Sequence, residues 1–125
     1  MARILVIDDD PDLRLILQHV LQAEGHCVVL ASDGQEGVRE QRNCQAELIV
    51  IDIFMPNKEG IETIQELRME FPDAIVIAMS GGGRFQAQGH LFTAKELGAA
   101  AILRKPFEMT MLLDFVNAAL SSSSA

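Results

Sequence analysis

The segment Ile49-Val50-Ile51-Asp52-Ile53-Phe54-Met55-Pro56 constrains this chain more than any other. A short β-branched aliphatic run that ends on an acid reads as a strand buried on both faces. Asp52 then sits where the strand surfaces, and a carboxylate closes a buried strand only where its charge is used. The same grammar recurs along the chain. Arg3 to Ile7 is an aliphatic strand that ends in Asp8-Asp9-Asp10, and Pro11 follows with Leu13, Ile16, Leu17, Val20 and Leu21 at helical spacing. Asp10 reads as the cap of that helix, Pro11 as its first residue and Gly25 as its stop.

Residues 27 to 31 give a second strand, and a weakly amphipathic helix near 34 to 42 follows, with Val38 its one clear aliphatic; 43 to 46 read as a loop. The third strand is 48 to 52. Ile61, Ile64, Leu67 and Phe71 mark a helix that Pro72 ends, and 74 to 79 form a fourth strand followed by Ser80. Gly81 to Gly83 break the chain before a helix over roughly 86 to 97. A fifth strand spans 99 to 103, Arg104 to Phe107 link it to a last helix carrying Leu112, Leu113, Val116, Ala119 and Leu120, and Ser121 to Ala125 read as a Ser-rich tail or the start of a linker. Residues 1 to 120 make one domain.

Five alternations of strand and helix imply an α/β fold, a doubly wound parallel sheet with helices on both faces. Such sheets place ligands outside the carboxyl ends of their strands. Asp8 and Asp9, Asp52, Ser80 and Lys105 all fall at those ends. Clustered carboxylates repel unless a cation or a raised pKa relieves them. An oxygen-only set suits Mg²⁺, and the lack of His or Cys at the same ends argues against zinc. A carboxylate beside Mg²⁺ can act as a nucleophile toward phosphorus, with Lys105 supplying a second positive charge and Ser80 a hydroxyl donor.

Composition narrows the alternatives. A net charge of −8 over 125 residues, with 49% hydrophobic residues, excludes a basic nucleic-acid footprint and argues against disorder. No apolar run is long enough for a membrane span, and the start of the chain does not read as a signal peptide. Cys27 and Cys44 lack metal-ligand spacing and read as free thiols of a cytoplasmic protein. His19, His26 and His90 are read as surface or helix-end residues. The triple glycine lacks the Gly-Lys-Ser/Thr of a phosphate-binding loop.

From Arg3 to Leu120 the chain resembles a response-regulator receiver domain of two-component signalling, of the CheY-like, flavodoxin-like kind. The resemblance is carried by Asp8-Asp9, Asp52 in Ile51-Asp52-Ile53-Phe54-Met55-Pro56, Ser80, and Lys105-Pro106. It implies a five-stranded sheet in the order 2-1-3-4-5. It further implies that Asp52 accepts a phosphoryl group from a sensor histidine kinase or a His-phosphotransfer protein. Asp9 and Asp52 would bind Mg²⁺ directly, Asp8 through water, and the backbone carbonyl of Phe54 would complete the protein ligands. Ser80 and Lys105 would contact the phosphoryl group. The signal would leave through a downstream protein partner or output domain, or by onward phosphotransfer to a histidine.

The expected chemistry is self-phosphorylation and slow self-dephosphorylation rather than turnover as an enzyme. An aspartyl-phosphate hydrolase usually carries a second acid two residues past the nucleophile, where this chain has Phe54. The rival reading is a pseudo-receiver, an interaction module that keeps the fold without phosphorylation; the complete acidic set with Lys105 argues against it. Two departures from the family pattern stand out. Ile102 replaces the usual aromatic of strand five, and the segment from Ser80 to Gly98 is about three residues longer than the family norm. That segment is expected to be the moving element.

Overall fold

The structure is a computed structural model that describes residues 2–53, 60–81 and 94–123. Five parallel strands form one sheet: β1 (Arg3–Ile7), β2 (Cys27–Ala31), β3 (Leu48–Asp52), β4 (Ile75–Gly81) and β5 (Ala101–Lys105). Their order is β2-β1-β3-β4-β5, as expected. The described helices are α1 (Pro11–Ala23), α2 (Gly34–Cys44), α3 (Gly60–Glu70), the short α4 (Ala94–Leu97) and α5 (Met109–Ser123). None is long and apolar enough to cross a membrane.

Strand alternation divides the core into two layers. Ile4, Val6, Leu48, Val50, Ile77, Met79 and Leu103 pack with Leu17 and Leu21 of α1 and Leu112 and Val116 of α5. Leu5, Ile7, Ile49, Ile51, Val76 and Ala78 face the other way, toward Val38 of α2, Ile64 and Leu67 of α3 and Leu97 of α4. Every residue of β3 is buried, as a central strand covered on both faces requires.

The caps explain the helix starts. The Asp10 carboxylate accepts from the amides of Asp12 (3.0 Å) and Leu13 (3.4 Å), and Pro11 fills the first position. At α2, Asp33 accepts from the Glu36 amide at 2.8 Å, while the Glu36 carboxylate reaches back to the Ser32 amide at 2.5 Å. The sequence made α2 look weak because glycine does its packing. Gly37 lies on Ile7, and a Cβ there would overlap the Ile7 side chain. Gly34, Gly37, Val38 and Gln41 form its buried stripe. The helix also runs to Cys44, past the expected end at 42, because Gln45 takes a left-handed conformation (φ 49°) that closes it.

Three further boundaries differ from the sequence expectation. β5 occupies 101–105 instead of 99–103: Ala99 and Ala100 are apolar, but pairing with β4 begins at Ile77↔Ala101 and continues to Gly81↔Lys105. β4 extends to Gly81, so Ser80 lies inside the strand rather than after it. α5 continues through Ser121–Ser123, past the expected end at Leu120. Phe54, Gly82, Gly83 and most of the helix expected over 86 to 97 lie outside the described residues. Cys27 and Cys44 are free thiols, as expected.

Gly60 starts α3 hard against the exit of β3. Its amide donates to Ile53 O at 3.2 Å, and a Cβ on it would overlap the backbone of Asp52 and Ile53.

Candidate functional site

The order β1-β3-β4-β5 puts the ends of four adjacent strands along one edge of the sheet. Asp8 follows β1, Asp52 ends β3, Ser80 is the penultimate residue of β4 and Lys105 ends β5. Alternation then aims the side chains. Asp8, Asp52 and Lys105 continue the rows of Val6, Val50 and Leu103 on the α1/α5 face, so the lysine crosses β4 on the side where the acids lie. Ser80 continues the opposite row, that of Val76 and Ala78.

The Lys105 ammonium donates to Asp8 Oδ2 at 2.9 Å and to Asp52 Oδ2 at 3.0 Å. Asp8 is fully buried and Asp52 is 5% exposed, while Asp9 is exposed at the rim. One carboxylate oxygen from each of the three lies within 4.8 Å of the others. At that separation each ionised pair repels by about 3–4 kcal/mol at an effective dielectric of ~20. Among the described residues, Lys105 is the cation that bonds to the trio, through Asp8 and Asp52. Burial alone would lower the Lys105 pKa, but its hydrogen bond to Asp8 and the charges of Asp52 and Asp8 outweigh burial, and its pKa stands above the ordinary lysine value. The ammonium therefore remains charged throughout the neutral range. The Lys105–Pro106 peptide is cis.

The loop bearing Asp8 and Asp9 is tied down at several points. The Asp8 amide donates to Ala31 O (3.1 Å), and Asp8 Oδ1 accepts from the Asp10 amide (2.8 Å). The Asp8 carbonyl accepts from Arg14 Nη1 (2.7 Å). Asp10 spends its carboxylate on capping α1, as its place before Pro11 suggested. Arg14 was not singled out by sequence reasoning. Its one available signal was position, a helical turn past the Asp10 cap.

Ser80 is the exception to the pairing. It is 5% exposed, and its Oγ is the one buried side-chain polar atom among the described residues without a hydrogen-bond partner. A buried hydroxyl left unpaired in the resting chain costs about 1–3 kcal/mol. An acceptor oxygen arriving from outside would satisfy it. The carboxylate trio offers oxygen donors with an exposed side at Asp9, a set that fits a hard divalent cation such as Mg²⁺. The Phe54 carbonyl, expected to join them, lies outside the described residues.

Ile102 is half-buried and packs on the α2–α4 layer of the core, paired with Ala78. His26 lies at a helix end, one of the two expected roles, its amide donating to Leu21 O of α1 at 3.2 Å, but it is not at the surface: it is 9% exposed, and its Nδ1 accepts from the Ala2 amide at 3.1 Å. Burial holds its pKa below the ordinary histidine value.

A doubly wound 2-1-3-4-5 sheet with three acids and a lysine gathered at its carboxyl ends defines a flavodoxin-like α/β fold with an acidic pocket that could hold a metal ion. Comparison with known proteins sharpens the class. The response regulator receiver domain profile matches residues 4–117, and the chain belongs to that family. The transcriptional regulatory protein CpxR of Escherichia coli is 32% identical over 123 residues, covering 98% of this chain and 51% of CpxR. The chain thus spans about half the length of that relative. Among solved structures, a response regulator receiver domain protein from Clostridium thermocellum superposes with a TM-score of 0.87 at 28% identity, over 99% of this chain and 98% of that one. TrrA of Thermotoga maritima, solved in complex with Mg²⁺ and BeF, gives a TM-score of 0.81 at 29% identity, over 94% of this chain and 98% of TrrA.

Proposed function

We propose that Asp52 is a phosphoacceptor and that this receiver domain is a phosphorylation-driven signalling switch. The observation that carries the reading is the meeting of Asp8, Asp9, Asp52 and Lys105, with a buried Ser80 hydroxyl, lacking a hydrogen-bond partner, near the end of the neighbouring strand β4. The donor is a phosphohistidine, on a sensor histidine kinase or a His-phosphotransfer protein. An Asp52 carboxylate oxygen attacks phosphorus, the P–N bond breaks, and its electron pair returns to the imidazole. Asp8, Asp9 and Asp52 would hold Mg²⁺, which neutralises transferring oxygens when bound.

The chain's own groups supply the rest. Lys105 already reaches Asp52, so a small displacement carries its ammonium from the carboxylate to a phosphoryl oxygen. Ser80 donates its idle hydroxyl to another. Each of those contacts is stronger in the phosphorylated state than in the resting one, which is what a switch requires. Phe54, two residues past Asp52, offers no acid or base to speed hydrolysis, so the phosphorylated form decays slowly and the domain acts as a relay rather than an enzyme. The output passes to a protein partner or output domain in the cytoplasm. Ile102 has no ring or hydroxyl to present to that partner, so the readout at β5 is by aliphatic packing.

Incubation with Mg²⁺ and acetyl phosphate tests the reading. Wild type is expected to become labelled, gaining the mass of one phosphoryl group, and Asp52→Asn to lose labelling entirely. No labelling of wild type would favour the pseudo-receiver, an interaction module with an unused pocket.

A further inference from the structure

We propose that Arg14 is a positioning residue for the divalent-cation site, fixing the Asp8–Asp9 peptide and through it the direction of the Asp9 carboxylate. The inference rests on the receiver reading and adds a residue to it. Asp9 is the exposed member of the acidic trio, so core packing does not orient it as it orients Asp8 and Asp52. Its backbone is held instead. The carbonyl before it, that of Asp8, accepts from Arg14 Nη1 at 2.7 Å, and the amide after it, that of Asp10, donates to Asp8 Oδ1 at 2.8 Å. Two hydrogen bonds on the flanking peptide planes bound both backbone torsions of Asp9. The second is made within the acidic loop itself. The first comes from α1, a rigid helix capped at Asp10 and seated on the sheet through Leu17 and Leu21. Arg14 thus couples the exposed ligand to the core.

A rival account treats Arg14 as a counter-charge for the crowded carboxylates. The two predict opposite signs. A guanidinium acting only by charge competes with a bound cation, so its removal would tighten Mg²⁺ binding. A guanidinium that aims Asp9 helps the cation, so its removal would weaken binding. Groups one shell out from a metal typically contribute about 10–100-fold in affinity, and a single peptide anchor falls at the low end.

The test is Mg²⁺ titration by calorimetry on wild type, Arg14→Met and Arg14→Lys, with melting temperatures taken in the absence of Mg²⁺. Arg14→Met is expected to bind Mg²⁺ about tenfold more weakly, and Arg14→Lys, which retains a cationic donor, to recover most of the loss. At saturating Mg²⁺ the acetyl phosphate labelling rate of Arg14→Met should match wild type. Equal or tighter Mg²⁺ binding by Arg14→Met overturns the proposal, and so does a labelling defect that saturating Mg²⁺ leaves in place. If Arg14→Met does not fold, Arg14→Gln carries the same expectation. Wild type that binds no Mg²⁺ overturns the receiver reading along with this one; wild type that binds while Arg14→Met is unaffected overturns this one alone.

Discussion

The two ends of the sheet treat buried polar groups in opposite ways. At the amino-terminal end, Gln41 is 1% exposed and uses both ends of its amide: Nε2 donates to Ala46 O (2.9 Å) and Oε1 accepts from the Ala46 amide (3.0 Å). His26 accepts from the Ala2 amide at 3.1 Å. At the carboxyl end, three carboxylates crowd within 4.8 Å of one another, and the Ser80 hydroxyl is buried without a hydrogen-bond partner among the described residues. Satisfied groups hold a fold in one state; groups left short of partners wait for something to complete them. The contrast sets the paired polar groups of the amino-terminal edge apart from the acidic pocket on which the proposed switch depends.

Substitutions should break that contrast in graded ways. Lys105→Met is expected to have the largest effect on stability, about 3 kcal/mol without Mg²⁺, because it removes the ammonium that bonds both buried carboxylates, Asp8 and Asp52. Added Mg²⁺ should return much of it, so denaturant curves with and without the cation should diverge from wild type by different amounts. Gln41→Leu should cost about 2 kcal/mol and be indifferent to Mg²⁺, since it orphans both backbone groups of buried Ala46 far from the site. Ser80→Ala should go the other way, raising resting stability by about 0.5–1 kcal/mol, because no hydrogen bond is lost and an idle hydroxyl is removed. A loss of stability in Ser80→Ala would mean the two ends are built alike.

The smallest effect concerns His26. Its folded pKa lies below the value of 6.5 for a free histidine, so above pH 6.5 it is neutral in both states and its contribution is complete. As pH falls through 6.5 the unfolded chain takes up the proton first, and stability declines until the folded pKa is passed. Urea midpoints between pH 7.5 and 5 should therefore drop slightly more in wild type than in His26→Gln.

Much of this was legible in the residues because it follows from burial and spacing. The aliphatic runs 4–7 and 48–51 named the central strands, and the acids that ended them named the site. The hidden parts depend on partners distant in sequence. Nothing local says that Gly37 is the residue on which α2 seats against Ile7, or that Ala99 and Ala100 precede the strand they look like beginning. Arg14, Gln41 and His26 bond to backbone atoms, and backbone atoms leave no signature in a sequence. Surface periodicity cannot tell a solvated arginine from one that clamps a carbonyl.

The close approach of Gly60 to the backbone of Asp52 and Ile53 carries its own consequence. A methyl group at that spot would shove the backbone of Asp52 and Ile53 aside while removing no ionisable group from the pocket. Gly60→Ala is therefore a decoy of a particular kind, one that wears the charge of the native domain without its shape. A partner that still binds the decoy recognises the field around the pocket; one that no longer does recognises its form.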